Sequence, residues 1–589
     1  MTTAAEQPCQ QKPRSQSTAI IGPVQGLSTP DVAGTGSTIR QRRKDEVHSL
    51  EPRAYADTVA AHSSLSIVDS LYPGNAFAGL ASYLRSPYER YARDLTQGAM
   101  NMPNSERQCF AAVYDFSASA TKKVSHLRDI EELAQLDEAP ETRNRSQLLF
   151  LNGHPSPQWL NAIGGKFCVD PEFYHRHLDF RAAIGRPNYF TLPSLPSSSD
   201  TMTKLRINTI GYRQPRLGLS AQRNPQKYLD GLRSEATKSM VDYENILSME
   251  NKWKTGDSIV RDFAIHDAEH FTIEQDISIC IDRTGHGWVA IAWLDIGASL
   301  ERSPYGPWMP SKKQKEDQIE FLPTMQYKQK IALKNSAIPS ASHCRESQEM
   351  GDFFQSASLI HLDYGRKLDR EAAGANPLYT LSDLFRFAAT SELQFLNMMA
   401  TKVAKEMDPA SLVQQENPTV ANILHSRQIL ERHLQRIDEN IQFIDAQRNV
   451  SPRSSKVDAT IESVKNDFRA LASRAHELSE QCDRGMTIIM NNATIKESQR
   501  AVLQAEGVAK LTRLAFIFIP SSFTASIFGM NVKQFGVGGN VELWVYFLTT
   551  IPVIAIATLF LTVDVIGLWR SLFSLVSKRK KVRTNSFPT

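Results

Sequence analysis

The C-terminal half of the chain shows a regular helical pattern. No proline occurs between Pro452 and Pro520, and apolar or small residues recur there at alternating spacings of three and four positions. Such a seam, sustained over several heptads, predicts a long helix of the coiled-coil type. The seam consists of Val457, Ile461, Val464, Phe468, Leu471, Ala475, Leu478, Cys482, Gly485 and Ile489.

A second segment with the same spacing precedes this helix. Asn417-Pro418 is a suitable N-cap and first turn for it. A turn at 447–455 would let the two helices pack antiparallel. The Asn491-Asn492 pair interrupts the longer seam and is a candidate hydrated or hinge position. The apolar positions of the shorter helix are Ile423, Leu430, Leu434, Ile437, Ile441 and Ile444.

Two uncharged runs follow the long helix. Residues 514–530 read LAFIFIPSSFTASIFGM, and residues 543–563 read LWVYFLTTIPVIAIATLFLTV. Each run approaches the ~20 residues with which a helix crosses ~30 Å of hydrocarbon. Two adjacent core helices of a soluble protein would give a similar pattern, but the second run is too long and too uniformly apolar for that alternative. We therefore expect two transmembrane helices, joined by an outer loop at 531–542.

The charges predict the orientation of this hairpin. Lys510 and Arg513 precede the first span, and a basic tail at 570–589 follows the second. The loop carries only Lys533 and Glu542 as charged residues. By the positive-inside rule, we expect both termini in the cytosol and the loop in the opposite compartment. The sequence leaves open whether the membrane is the plasma membrane or that of an organelle.

The first span is the more polar of the two. Ser521, Ser522, Thr524 and Ser526 are grouped after Pro520. One interpretation is that these hydroxyls bond to carbonyls of their own helix or allow close helix packing, while the proline bends the helix. The other interpretation is that this helix lines a hydrated path and the second helix shields it from lipid. The composition of the span favours neither interpretation.

The end of the first span resembles a known family. Phe528-Gly529-Met530-Asn531 lies at the expected outer boundary, after a span that contains proline and before a short loop, a final span and a basic tail. In this position Gly-Met-Asn resembles the signature of CorA-type magnesium channels. The resemblance implies a passive channel for divalent cations, built as a funnel-shaped homopentamer.

The resemblance also implies site residues. Gly529, Met530 and Asn531 correspond to the ion-selectivity sequence, with Gly529 and Asn531 as the metal-binding positions. Rings of neutral carbonyl and amide oxygens can hold hydrated Mg2+, which gives up its water reluctantly. The thioether of Met530 is a soft ligand, so we expect it to pack against a neighbour instead. The family's pore-lining positions fall on Ser522, Ile519, Leu511 and Val508.

The outer loop departs from the family pattern. The acidic Pro-Glu element of magnesium-transporting members is missing, and Glu542 is the only carboxylate of the loop. Magnesium is the expected ion, but transport of zinc or of a broader range of divalent ions stays open. A second hypothesis is a membrane scaffold or signalling protein that does not conduct. A third, a soluble coiled-coil protein with an anchor, would need only one span.

The N-terminal part predicts a cytosolic α/β domain at 100–300, so the expected fold class is α+β. Residues 148–180 resemble the corresponding part of fungal CorA-like proteins. We expect a disordered tail at 1–60, a loop or insertion at 301–350 and a helical coiled-coil stalk at 351–513. The strand-like runs are 109–116, 148–152, 205–212, 277–282 and 288–294, the last two joined as a hairpin.

Composition argues against several function classes. A net charge of +4 over 589 residues is too weak for a nucleic-acid surface. The six cysteines include no close pair, and we interpret them as reduced thiols. No catalytic motif is recognisable, so we expect neither an enzyme nor a cofactor. The expected partners are further copies of the chain, the lipid bilayer and the transported divalent ion.

His175 and His177, with Asp170 and Asp179 close by, could be taken for a metal site. The surrounding segment is rich in aromatic residues. Alternating histidines in such a segment are more often packed or solvent-facing groups than ligands, so we predict packing and surface roles for them.

Overall fold

The N-terminal elements of the computed structural model begin with two helices. These are α1 (Pro52–Ser63) and α2 (Ala78–Asp94), with a short 3-10 turn at Asn75–Phe77 between them. The structure describes residues 49–66, 68–94, 110–117, 124–136, 145–181, 195, 200–213, 225–249, 252–284, 287–309, 319–326, 355–362, 364–366, 368–407, 420–450, 454–529 and 543–562.

An eight-stranded sheet forms the centre of the N-terminal part. Its strands are β1 (Ala111–Asp115), β2 (Val124–Leu127), β3 (Ser146–Asn152), β4 (Met202–Arg213), β5 (Asp262–Ile265), β6 (His270–Thr284), β7 (Gly287–Leu294) and β8 (Ile319–Phe321). Their order is β2-β1-β3-β7-β6-β4-β8, and β5 pairs with β6 beside this path. β3 and β7 run parallel, and the other neighbours run antiparallel.

Each of the five predicted runs contains a strand. β6 and β7 form the predicted hairpin, in which Thr284 pairs with Gly287. The sequence does not predict β2, β5 or β8. β8 lies within 301–350 and pairs with β4 through Phe321 and Gly211. The prediction of a loop or insertion is therefore wrong at β8, which is too short to show an alternating pattern.

Helices lie on both sides of the sheet. In the N-terminal part they are α3 (Ile130–Ala134), α4 (Pro157–Phe167), α5 (Pro171–His177) and α6 (Pro225–Leu247). In the C-terminal part they are α7 (Arg370–Ala375), α8 (Pro377–Glu406), α9 (Val420–Val450), α10 (Ser455–Gly529) and α11 (Leu543–Thr562).

The sheet separates two hydrophobic cores. Successive side chains of a strand point to opposite faces. Leu148 and Phe150 of β3 therefore pack on the face that α8, α9 and α10 cover. Leu149 and Leu151 pack on the other face, against α1, α2, α4 and α5. A third cluster, around Trp308, joins α6 to β5 and β6. The fold is a helix–sheet–helix sandwich of the predicted α+β class.

The folded chain begins earlier than the sequence predicts. Tyr55, Ala56 and Val59 of α1 are buried, and the Tyr55 hydroxyl donates to the carbonyl of Val169 at 2.8 Å. The boundary of the predicted tail at residue 60 is therefore too late. α1 buries only a few apolar side chains, and the polar residues around them hide this helical pattern in the sequence. Residues 1–48 lie outside the described residues.

Every predicted seam residue of α10 is buried. Ion pairs of Arg427 with Asp483 at 2.8 Å and of Arg448 with Glu462 at 2.5 Å show that α9 runs antiparallel to α10, as predicted. The turn is shorter than 447–455, because α9 continues to Val450. α8 packs on the same seam, and the seam and the sheet share one hydrophobic cluster. The predicted stalk and α/β domain are therefore joined by a common core.

Buried charges attach α9 to this core. Nδ1 of His433 in α9 lies 2.8 Å from Glu392 of α8, and its Nε2 lies 3.3 Å from Glu274 of β6. Glu274 also accepts hydrogen bonds from Arg206 at 2.5 Å and from Arg436 at 2.9 Å. A buried charge that loses its partner costs about 3–5 kcal/mol. The cluster therefore makes the position of α9 on the sheet sensitive to each of its members.

Replacement of His433 should change the pH dependence of stability. Burial alone would lower the pKa of His433, but Glu392 and Glu274 outweigh burial and raise the pKa to about 9. The protonated ring thus stabilises the fold fully below its unfolded pKa of about 6.5, and this contribution is lost as the pH rises towards 9. From pH 6.5 to 9.5 we expect the wild type to lose on the order of 3 kcal/mol more than His433→Gln. Urea unfolding at several pH values measures the free energy of unfolding. The same pH dependence of this free energy in the two proteins would contradict the prediction.

Gly153 should tolerate no side chain. It follows β3 with a φ of +68°, and a Cβ atom there would lie 2.4 Å from the carbonyl oxygen of Asp257. We expect Gly153→Ala to lower the free energy of unfolding by about 1–3 kcal/mol, measured by thermal unfolding of the full chain. Gly231→Ala in α6 is the control, because nothing lies within 4 Å of its Cβ position. An equal loss in both variants would contradict the interpretation.

Candidate functional site

The apolar end of α10 is the first part of the candidate site. Among the described residues, α10 is the helix that is long and apolar enough to cross a membrane, and α11 contains a shorter apolar segment at Trp544–Leu559. α10 continues without interruption through the Asn491-Asn492 pair and through Pro520. Residues 514–529 of the predicted first span are thus the end of the helix whose other end is buried in the core shared with the sheet.

Hydroxyl groups bond to the helix around Pro520. Pro520 has no N–H group, so the carbonyl of Phe516 lacks its usual helical donor, and the hydroxyls bond to other carbonyls of the helix. The hydroxyl of Ser521 donates to the carbonyl of Ile517 at 2.6 Å, and that of Ser522 donates to the carbonyl of Ile519 at 3.0 Å. These contacts agree with the interpretation that the hydroxyls bond to their own helix. Each hydroxyl oxygen can still accept a further hydrogen bond.

α11 packs back along this end of α10. The hydroxyls of Thr550 and Thr524 lie 3.1 Å apart and are buried between the two helices. The Tyr546 hydroxyl donates to the carbonyl of Ser521 at 3.4 Å, and the Tyr546 ring lies edge-on to Phe528 at 5.9 Å. We call the Thr524–Thr550 contact the hydroxyl clasp. The clasp and the Tyr546 contacts define which face of α10 is covered by α11.

The predicted pore-lining residues lie on the uncovered face. With ~100° between successive helical residues, Val508, Leu511, Ile519 and Ser522 fall within an arc of about 80°. Thr524 lies about 180° from the middle of that arc. The side chains of Val508, Leu511 and Ile519 are 63%, 67% and 66% exposed, and Ser522 is also exposed, in contrast to 6% for Thr524. α11 therefore leaves the predicted pore face open.

The predicted selectivity sequence is placed only in part. Gly529 is the last residue of α10, and no atom lies within 4 Å of its Cβ position. The last carbonyl groups of a helix have no N–H partner within the helix, and the Gly529 carbonyl is one of these groups. Met530, Asn531 and Glu542 lie outside the described residues.

Sequence reasoning missed Thr550 and Tyr546. It treated the second span as a uniformly apolar shield, whereas these side chains hold α11 against α10 through the clasp and the Ser521 carbonyl. The available signal was the presence of hydroxyl groups in an otherwise apolar run. Polar side chains at membrane depth often bond between helices. The partner on α10 could not be chosen without the packing of the two helices.

The histidine segment has packing contacts, as predicted. His177 is fully buried, and its ring stacks on Trp293 with centroids 3.8 Å apart. The ring of His175 packs near Phe77 at 5.1 Å. Asp179 forms an ion pair at 2.7 Å with the arginine that precedes β5. Within the described residues, no group of three or more His, Cys, Asp and Glu side chains has the geometry to hold a metal ion.

Comparison with known proteins bears on the helical part of the chain. Residues 399–565 match the family model of the CorA-like Mg2+ transporter protein. The matched range covers α9, α10 and α11 and leaves out the sheet. No curated protein matches the chain. The match supports the family resemblance seen at Gly529, and it implies a membrane protein that transports divalent cations.

Proposed function

We propose that this chain forms a passive channel for divalent cations, with α10 lining the path and α11 on the outside. The observation that carries the proposal is the position of four residues on one open face of α10, opposite the clasp. The family match at 399–565 supports cation transport independently of that geometry. The predicted pore residues are Val508, Leu511, Ile519 and Ser522.

A single helix face cannot enclose a path, so the proposal requires several copies of the chain. Beyond the seam, α10 exposes apolar side chains such as Ile495, Val502 and Leu503, which a neighbouring copy could cover. Following the family resemblance, we propose a homopentamer with five α10 helices around the axis. Both spans, 514–530 and 543–563, then cross the bilayer, and the sheet domain and both termini lie in the cytosol.

The chemistry of the proposed path suits a hydrated cation. Rings of Asn531 amide oxygens and Gly529 carbonyls would hold the ion with its water, and a ring of Ser522 hydroxyls would follow. Val508, Leu511 and Ile519 would form an apolar constriction that closes by losing its water. We propose Mg2+ as the principal ion, with zinc or other divalent ions as the alternative. A membrane potential supplies ~2.3 kcal/mol per charge per 100 mV, so no cofactor is needed.

Asn531→Ala should abolish ion flux. The purified full chain in liposomes would be tested with magnesium, zinc, cobalt and nickel, and the wild type should favour magnesium. The matched control is Asn466→Ala, because Asn466 is an exposed residue of α10 whose side chain accepts a hydrogen bond from Arg469, far from the predicted pore residues. Flux that persists in Asn531→Ala would contradict the selectivity assignment. No flux of any ion through correctly inserted wild type would favour the non-conducting scaffold.

The clasp should contribute measurably to the packing of α11 on α10. Hydrogen bonds between membrane helices are worth about 0.6 kcal/mol on average and up to ~1.7 kcal/mol. We expect Thr524→Val, Thr550→Val and the double variant to lose similar amounts of thermal stability in detergent, because all three remove the same contact between the two helices. Thr549→Val is the control, since within the described part of the chain the Thr549 hydroxyl bonds to carbonyls of its own helix and to no group of α10. Fully additive losses in the double variant would contradict the clasp.

A further inference from the structure

Ser526 differs from the other hydroxyl residues that follow Pro520. The hydroxyls of Ser521, Ser522 and Thr524 donate to carbonyls of the preceding turn of α10, at 2.6, 3.0 and 3.1 Å. The Ser526 hydroxyl forms no hydrogen bond with any residue that the structure describes, and its side chain is exposed. One hydroxyl of this group is therefore left without a partner in the described part of the chain.

The position of Ser526 makes this hydroxyl unusual. Ser526 lies within the predicted first span, 514–530, three residues before Gly529, at which α10 ends. A polar group without a hydrogen-bond partner is unfavourable in the hydrocarbon of a membrane. The Ser526 hydroxyl is therefore more stable beside water than beside lipid.

The geometry of the helix places Ser526 on the predicted pore face. Ser526 follows Val508 by 18 residues. This separation is five full turns at ~100° per residue, so the two side chains leave the helix in the same direction. Ser526 also follows Ser522 by about one turn, or ~6 Å along the axis. It thus lies inside the arc of the four predicted pore residues, about 20° from the middle of that arc.

The contacts of α11 support this direction independently. Thr524 and Phe528 both contact side chains of α11. They lie about 180° and about 140° from the middle of the arc. Ser526 comes between them in the sequence but lies on the opposite side of the helix. α11 therefore leaves the Ser526 side chain open.

We propose that Ser526 is a further pore-lining residue, whose hydroxyl binds the water of the hydrated cation between Ser522 and Gly529. This inference rests on the proposed channel. Water molecules that coordinate a cation direct their hydrogen atoms outwards, so the wall of the path must supply acceptors. A serine oxygen accepts two hydrogen bonds and donates one. Because the Ser526 proton is not bound to a helix carbonyl, this hydroxyl can also donate to water in the path.

Ser526 makes the polar wall of the proposed path continuous. Ser522 lies ~6 Å before it along the axis, and Gly529 lies ~4.5 Å beyond it. Without Ser526, the polar groups of Ser522 and Gly529 would be separated by ~10 Å on this face. With Ser526, the hydrated ion meets a polar group at each turn of α10 near the outer end of the path.

Mg2+ flux through the full chain in liposomes, measured at several Mg2+ concentrations, tests the proposal. We expect Ser526→Ala to raise the Mg2+ concentration that gives half-maximal flux roughly twofold to tenfold, which is the range for one net hydrogen bond. The melting temperature in detergent should equal that of the wild type, because the hydroxyl has no partner among the described residues. A purely structural hydroxyl would change the melting temperature and leave the half-maximal concentration unchanged.

Ser521→Ala is the matched control. Ser521 also follows Pro520, but it lies about 120° from the middle of the arc, and its hydroxyl donates to the carbonyl of Ile517. Its half-maximal concentration should equal that of the wild type. Ser526→Thr and Ser526→Val form a second pair, because threonine and valine have nearly the same shape. The threonine variant should reach half-maximal flux at a lower Mg2+ concentration, since valine has no hydroxyl.

The outcomes separate the role of Ser526 from the proposed channel. If the wild type carries Mg2+ and Ser526→Ala keeps the half-maximal concentration of the wild type, the assignment of Ser526 is wrong and the channel stands. An equal rise in Ser521→Ala and Ser526→Ala would also overturn the assignment, because the effect would not depend on the helix face. If no divalent ion crosses the wild type, the proposed channel is wrong, and the role of Ser526 is wrong with it.

Discussion

α10 runs without a break from the core of the sheet domain to Gly529. Its 75 residues span about 110 Å at ~1.5 Å per residue. One end carries the seam that α8 and α9 bury, and the other end carries the apolar segment with Pro520. Because successive residues of a helix are separated by a fixed ~100°, the burial of the seam also determines which face α10 presents at Ser522. One continuous helix thus connects the core of the sheet domain to the open face near Gly529.

The repeated features of the fold could be predicted from the sequence, and the pairings between distant segments could not. The α10 seam and the strands place apolar residues at a regular spacing, so each of these elements can be recognised from its own segment of the sequence. The parallel pairing of Ser146 with Trp288 joins residues far apart in the chain, and nothing in either segment specifies the other. The ion pairs of His433 could not be predicted for the same reason, since its partners Glu392 and Glu274 belong to two other elements.

The same distinction applies to the candidate site. The end of the first span could be predicted, because Pro520, the hydroxyl residues after it and Gly529 are close together in sequence. The face of α10 that α11 covers depends on the tertiary contact between Thr524 and Thr550.

Access of water to the two faces of α10 would show whether its uncovered face lines an ion path. Ser522→Cys and Thr524→Cys would be reconstituted into liposomes, and Mg2+ flux would be measured before and after a positively charged thiol reagent. The unmodified chain, with its own cysteines, is the reference. If α10 lines the path with its uncovered face, the reagent blocks flux through Ser522→Cys and leaves Thr524→Cys and the reference unchanged. Block of Thr524→Cys without block of Ser522→Cys would contradict the account.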